Sequence, residues 1–114
     1  DRPGEQTDAV VETLDLLPTL CQLAGLERPG FAQGVSLKPM LDEPSADGHV
    51  AVSYKGNART IRTATHRLIL HNDGYTELYD HTSAEKETKN VASSYPATVA
   101  RLAALLNDRL NHQR

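Results

Sequence analysis

The first apolar rhythm of the chain is helical. Leu16, Leu17, Leu20, Leu23 and Ala24 recur at the spacing of one helix face. Asp15 stands before them as a short acceptor side chain and is expected to cap the helix. Pro18 falls in the first turn, where its missing N–H costs little. Gly25 is placed to end the helix in the left-handed conformation. Upstream, Val10 and Val11 read as a short strand-like run ending near Leu14. After the loop from Glu27 to Gly34 the same grammar returns in miniature. Ser36 caps, Leu37 opens, Pro39 sits in the first turn, and Met40 and Leu41 supply the apolar side.

From position 50 the period changes to two. Val50, Val52 and Tyr54 alternate with Ala51, Ser53 and Lys55. Gly56-Asn57 marks a turn, and Arg59 to Ala64 reads as a second strand. Leu68-Ile69-Leu70 predicts a buried third strand. Asn72-Asp73-Gly74 is a hairpin turn, and Glu77 to Asp80 is the fourth strand. A polar loop runs from His81 to Lys89. Ser94 is then expected to cap a last helix with Pro96 in its first turn. Val99, Leu102, Leu106 and Leu110 mark one face of it, with Ala103 beside them, and Arg101, Asp108 and Arg109 the wet side. The pattern predicts an α+β fold: two short helices, then a small four-stranded antiparallel sheet packed by a C-terminal amphipathic helix. It divides the chain into a polar lead-in at 1–9, helices and loops at 10–48, and a sheet-plus-helix subdomain at 49–114. The lead-in has no starting Met and reads as a cut from a longer chain.

Composition narrows the classes. The 114 residues fit one modest core. Trp is absent and Phe31 is the only Phe, so Leu, Val, Ala and Ile must build that core, with Tyr at its margins. The net charge of −3 argues against a nucleic-acid binder, which shows a basic stripe. No apolar run approaches a membrane span.

Candidate chemistry is sparse. Cys21 is the only thiol, one turn after Leu17, with no adjoining Lys, Arg or His to lower its pKa; a small buried hydrophobe is the plainer reading. His49, His66, His71, His81 and His112 form no close metal-binding pair. His66 and His71, five apart on a strand, point to opposite faces. Asp80, Glu85 and Glu87 lack the dense oxygen spacing of a calcium loop. No metal ligand or catalytic residue is expected here. The cations Lys55, Arg59, Arg62 and Arg67 lie at or beside the first three strands, where they can steer an anion. Surface charge, or Arg62 pairing with a carboxylate such as Glu77, is the plainer account of each.

Four stretches together resemble one family. Val11 to Leu26, with Asp15, Pro18-Thr19-Leu20 and Leu23-Ala24-Gly25, is similar to the D-x-x-P-T-L-x-x-L-A-G segment of sulfatases. Gly34 to Leu41 resembles their G-x-S-L-x-P-L-L. Ile61-Arg62-Thr63 with Arg67-Leu68-Ile69 resembles their R-T strand pair. Glu77-Leu78-Tyr79-Asp80, with Glu87 and Asn90-Val91-Ala92, resembles the E-L-Y-D…E-x-x-N-L-A signature. The family's Asp-Pro is Ala84-Glu85 here, and the aromatic before Arg67 is His66. The Cys after P-T-L and the His after E-L-Y-D look most like the iduronate-2-sulfatase-like branch.

The resemblance implies the C-terminal subdomain of a sulfuric ester hydrolase. Asp15, Pro18, Arg62, Glu77 and Tyr79 take structural roles in that likeness. Sulfatases make a formylglycine from C/S-x-P/A-x-R and hold Ca²⁺ with Asp and Asn, all in a larger N-terminal domain. Cys21 is followed by Gln22-Leu23-Ala24-Gly25, outside that motif, so neither group is expected on these residues. The implied partners are that N-terminal sulfatase domain and a sulfated sugar, and the implied compartment is periplasmic or secreted. Lys55, Arg59 and His49 are the expected substrate contacts. Two alternatives stay open: a non-catalytic interaction module, and the tail of an alkaline-phosphatase-like phosphoesterase.

Overall fold

The computed structural model describes residues 3–111 and divides into two compact units, residues 1–49 and 50–114. His112, like Asp1 and Arg2, lies outside the described residues.

In the first unit, a 3-10 turn at Thr13–Asp15 leads into helix α1, Leu16–Leu23, and α2 follows at Lys38–Asp42. The end of α1 is stitched by two backbone bonds. Gly25 N–H donates to Gln22 O (3.2 Å) and Leu26 N–H to Cys21 O (2.8 Å). This closure needs a left-handed residue, and Gly25 supplies it at φ 70°. Gly34 is needed for a different reason. A Cβ there would run into the Leu14 carbonyl and the Asp15 Cα, so only glycine lets these backbones touch.

Two expectations for this unit need correction. Val10 and Val11 lie in no strand; the Val10 carbonyl makes a single backbone bond with His49 N–H (3.0 Å). Leu37 rather than Ser36 occupies the N-cap of α2, although Ser36 Oγ does accept the Lys38 N–H at 3.2 Å. Helix α1 forms where its spacing predicts, and its leucine face is outward. Its buried side chains are Pro18, Thr19 and Cys21, whereas Leu16, Leu20 and Leu23 are 51%, 63% and 54% exposed. The side chains of Asp15 and Thr19 instead hold the following loop against the helix, at Val35 and Leu37. The free Cys21 is buried, as expected of a small apolar side chain.

The second unit is a meander: β1 Ala51–Lys55, β2 Ala58–Arg62, β3 His66–His71 and β4 Thr76–Asp80, antiparallel in the order β1-β2-β3-β4. Gly56 at φ 56° and Gly74 at φ 91° make the tight turns that glycine permits. β2 stops at Arg62, short of Ala64, because Thr63 turns the chain: its Oγ1 accepts the N–H groups of Thr65 (3.3 Å) and His66 (3.1 Å). A 3-10 turn at Ala92–Ser94 precedes helix α3, Pro96–Asn111. Ser94 thus lies in that turn and is not the cap of α3.

Register explains the core. Ile61, Leu68 and Leu78 are direct cross-strand partners, forming one row over three strands. All three are fully buried, together with Leu102 and Leu106, one turn apart on α3. Each such side chain contributes about 1.5–3 kcal/mol by burial. Val52, Leu70, Val99, Ala103 and Leu110 extend the cluster. This is the expected α+β arrangement, with α3 covering one sheet face.

Candidate functional site

A polar clamp centres on Asp15, which is fully buried. Its Oδ2 accepts the Glu12 N–H (2.7 Å) and its Oδ1 accepts the Val35 N–H (2.8 Å). His49 Nε2 lies 2.6 Å from the same Oδ2, and His49 Nδ1 lies 3.6 Å from Glu12 Oε1. Thr19 Oγ1 donates to Asp15 O (2.6 Å) and accepts the Leu37 N–H (2.7 Å). Asp15 occupies the expected N-cap position of α1, but its side chain makes no cap hydrogen bond there; it ties the helix start to the loop at Val35 and to His49. Burial opposes its charge, but the Val35 and Glu12 N–H groups and the His49 ring outweigh that, holding the carboxyl below its usual range. An ionised carboxylate only accepts, so His49 Nε2 is the donor.

Glu12, Asp15 and His49 also form the group of metal-ligand side chains found among the described residues. Their geometry does not suit calcium, which takes six to eight oxygen ligands. Each ring nitrogen of His49 faces a different carboxylate, and both Asp15 oxygens are already engaged by donors. The cluster is a hydrogen-bonded clamp.

On the sheet, carboxylates organise the edge at β4. Tyr79 OH donates to Glu77 Oε1, and His71 Nε2 lies 2.6 Å from Glu77 Oε2. The Tyr79 hydroxyl is pushed up to about 12, first by that hydrogen bond and then by burial. The same bond, followed by His71, lowers Glu77. Glu87 Oε2 accepts from Arg67 Nε (2.7 Å) and lies 2.7 Å from His81 Nε2. Asn90 closes the edge: Oδ1 accepts the Leu78 and Ala92 N–H groups, each at 3.0 Å, and Nδ2 donates to Thr76 O at 3.1 Å. Asn90 is visible in the sequence only as a position in the E-L-Y-D…N pattern; the spacing of residues carries no hint of these bonds. Arg62 does not pair with Glu77, which is engaged by Tyr79 and His71. Arg62 Nη1 is buried without an acceptor.

Two of the expected substrate contacts, Lys55 and Arg59, lie on the sheet and do not share a face. Lys55 and Arg59 flank the β1–β2 turn, but strand alternation puts them on opposite faces. Arg59 sits on the α3 side, its Nη1 donating to Asn107 Oδ1 (3.4 Å). Lys55 is exposed at the end of β1. His49 belongs to the clamp in the first unit.

The motifs, the meander and its covering helix coincide with what comparison with known proteins finds. The family model described as N-sulphoglucosamine sulphohydrolase, C-terminal, matches residues 2–114. The chain belongs to this sulfatase C-terminal family. A sulfatase of Formosa agariphila is 32% identical over 107 residues, covering 90% of this chain and 21% of that protein. The Delta 4,5-hexuronate-2-O-sulfatase of Bacteroides thetaiotaomicron is 33% identical over 115 residues, covering 90% and 24%. The structure of a phosphonate monoester hydrolase from Silicibacter pomeroyi superposes with a TM-score of 0.76 at 27% identity, covering 98% of this chain and 28% of that one. The chain thus spans about a quarter of the length of the proteins it matches.

Proposed function

We propose that this chain is the C-terminal domain of a larger sulfuric ester hydrolase that acts on a sulfated sugar. The observation that carries this reading is the family match over nearly the whole chain. The hexuronate sulfatase among its relatives supports a sugar sulfate as the substrate. Formylglycine as nucleophile and Ca²⁺ as charge stabiliser belong, in this reading, to the catalytic domain. Cys21 is buried in α1 and outside the modification motif, and the Glu12–Asp15–His49 cluster does not suit Ca²⁺. No catalytic step is assigned to this chain.

Its own contribution is to hold shape. Leu16, Leu20 and Leu23 of α1 are each more than half exposed, and the catalytic domain is the occupant of this apolar stripe. Lys55, exposed beside a glycine turn, is the cation best placed to meet an anionic substrate. Arg59 reaches such a substrate only by leaving Asn107.

A second reading rests on the phosphonate monoester hydrolase, which superposes over 98% of the chain. In it the parent protein cleaves phosphonate or phosphate esters. A substrate panel on the full-length enzyme separates the two. Sulfate release from sulfated mono- and disaccharides, exceeding turnover of phosphonate monoesters, supports the sulfatase. The reverse preference supports the second reading.

A further inference from the structure

Arg62 is the last residue of β2, an inner strand, and its neighbour Ile61 points into the core. Alternation places the Arg62 side chain on the sheet face turned away from α3. Its direct cross-strand partners are Ala51 and Arg67. Ala51 offers no acceptor. Arg67 is a second cation, and its Nε already donates to Glu87. Glu77 shares this face but is engaged by Tyr79 and His71. Arg62 Nη1 is closed to solvent and has no acceptor among the described residues. The rest of the residue is half-buried.

A guanidinium does not shed its charge by losing a proton, so this deficit persists at any working pH. Buried charges in native proteins are paired, and breaking such a pair is strongly destabilising. A cation left unpaired beside a second cation therefore calls for an anion from elsewhere. We propose that Arg62 receives a carboxylate side chain from the remainder of the parent protein, which covers this second face of the sheet. The inference rests on the reading that the chain is one domain of a larger protein.

Two observations favour a protein carboxylate over a free anion. The relatives are about four times as long as this chain, so ample polypeptide exists to supply it. The residues beside Arg62 on this face, Ala51 and Thr60, are small and allow another surface to approach closely. Nη1 reaches the incoming group by rotation of the terminal side-chain bonds. A carboxylate then takes two parallel N–H donors from the guanidinium fork.

The test compares Arg62→Met and Arg62→Lys in the full-length protein and in the 114-residue chain, reading thermal unfolding and amide exchange. In the full-length protein, Arg62→Met is expected to lower the melting temperature by about 3 °C or more and to speed exchange in β1 to β3. Arg62→Lys, which keeps the charge but loses the fork, should show a smaller drop. In the chain alone, Arg62→Met should cause no drop, because no pair is lost. An equal drop in both contexts, or none in the full-length protein, overturns the proposal. Should the chain alone not fold, exchange in the full-length protein decides by itself: faster exchange in Arg62→Met supports the pair, and unchanged exchange overturns it. Saturable stabilisation of the chain by millimolar sulfate or acetate, lost in Arg62→Met, would assign a free anion and also overturn it. Neither readout uses catalysis, so a full-length protein without sulfatase activity would sink the proposed function and leave this proposal standing.

Discussion

Asp15 and His49 are 34 positions apart, yet Asp15 Oδ2 and His49 Nε2 lie 2.6 Å from each other. The bond closes a circuit that also includes the backbone of Glu12 and Val35. Residue 15 opens α1 and residue 49 ends the first unit, so one buried carboxylate ties the start of that helix to the end of the unit.

Removing that carboxylate should cost more than an ordinary surface change. Asp15→Ala removes the acceptor of two part-buried N–H groups and of His49 Nε2, and should destabilise the first unit by about 3 kcal/mol. Asp15→Asn keeps the shape and one acceptor, so its loss should be smaller. Urea unfolding of both variants checks the order. A loss of less than about 0.5 kcal/mol in Asp15→Ala, the level of a neutral surface substitution, would remove the clamp from the account.

Acid should act through the same groups. Asp15, Glu77 and Glu87 are all held below their ordinary values of 3.8, 4.5 and 4.5. In Asp15 and Glu87 burial opposes the charge but is outweighed: by N–H groups and His49 in the first, by Arg67 and His81 in the second. In Glu77 the Tyr79 hydroxyl leads. The unfolded chain takes up these protons at higher pH than the folded one. The stabilisation is therefore present above the unfolded values and is lost as pH falls below about 4, through the folded values. Urea midpoints between pH 6 and pH 2 should fall most steeply below 4, and Asp15→Asn should flatten that fall. Midpoints that hold constant to pH 2 would contradict it.

The outward leucines of α1 make an opposite pair of expectations in two contexts. Leu20→Ser with Leu23→Ser should leave the unfolding midpoint of the 114-residue chain nearly unchanged, since both side chains are more than half exposed. It should also reduce self-association and dye binding by light scattering and fluorescence. The same double substitution in the full-length protein should destabilise it, as core leucine truncations do at about 2–5 kcal/mol each. Equal tolerance in both contexts would mean that nothing covers the stripe.

Much of this fold is legible in the residues. Alternation at 50–55, the glycine turns at Gly56 and Gly74, and the 3.6 spacing of Val99, Leu102, Leu106 and Leu110 each encode a local choice that packing then confirms. The misreadings share one physical cause. The leucines of α1 announce an apolar partner but not where it lies, and none of the described residues buries them. Asp15 looks like a cap because its short acceptor precedes an apolar run. Its actual partners, 20 and 34 positions away, leave no trace in local spacing. Arg62 and Glu77 share a sheet face, and the choice of Glu77 for Tyr79 and His71 depends on side-chain geometry that periodicity does not carry. Lys55 and Arg59 lie close in sequence, and strand parity is what separates them.

We propose that this chain is the C-terminal domain of a sulfatase and carries out none of its chemistry. Ion chromatography of sulfate released from a sulfated disaccharide, run side by side on the full-length protein and on the 114-residue chain, tests it most directly. The account predicts sulfate release by the full-length protein and none by the chain alone. Release by the isolated chain, or turnover of phosphonate but not sulfate esters by the full-length protein, would contradict it.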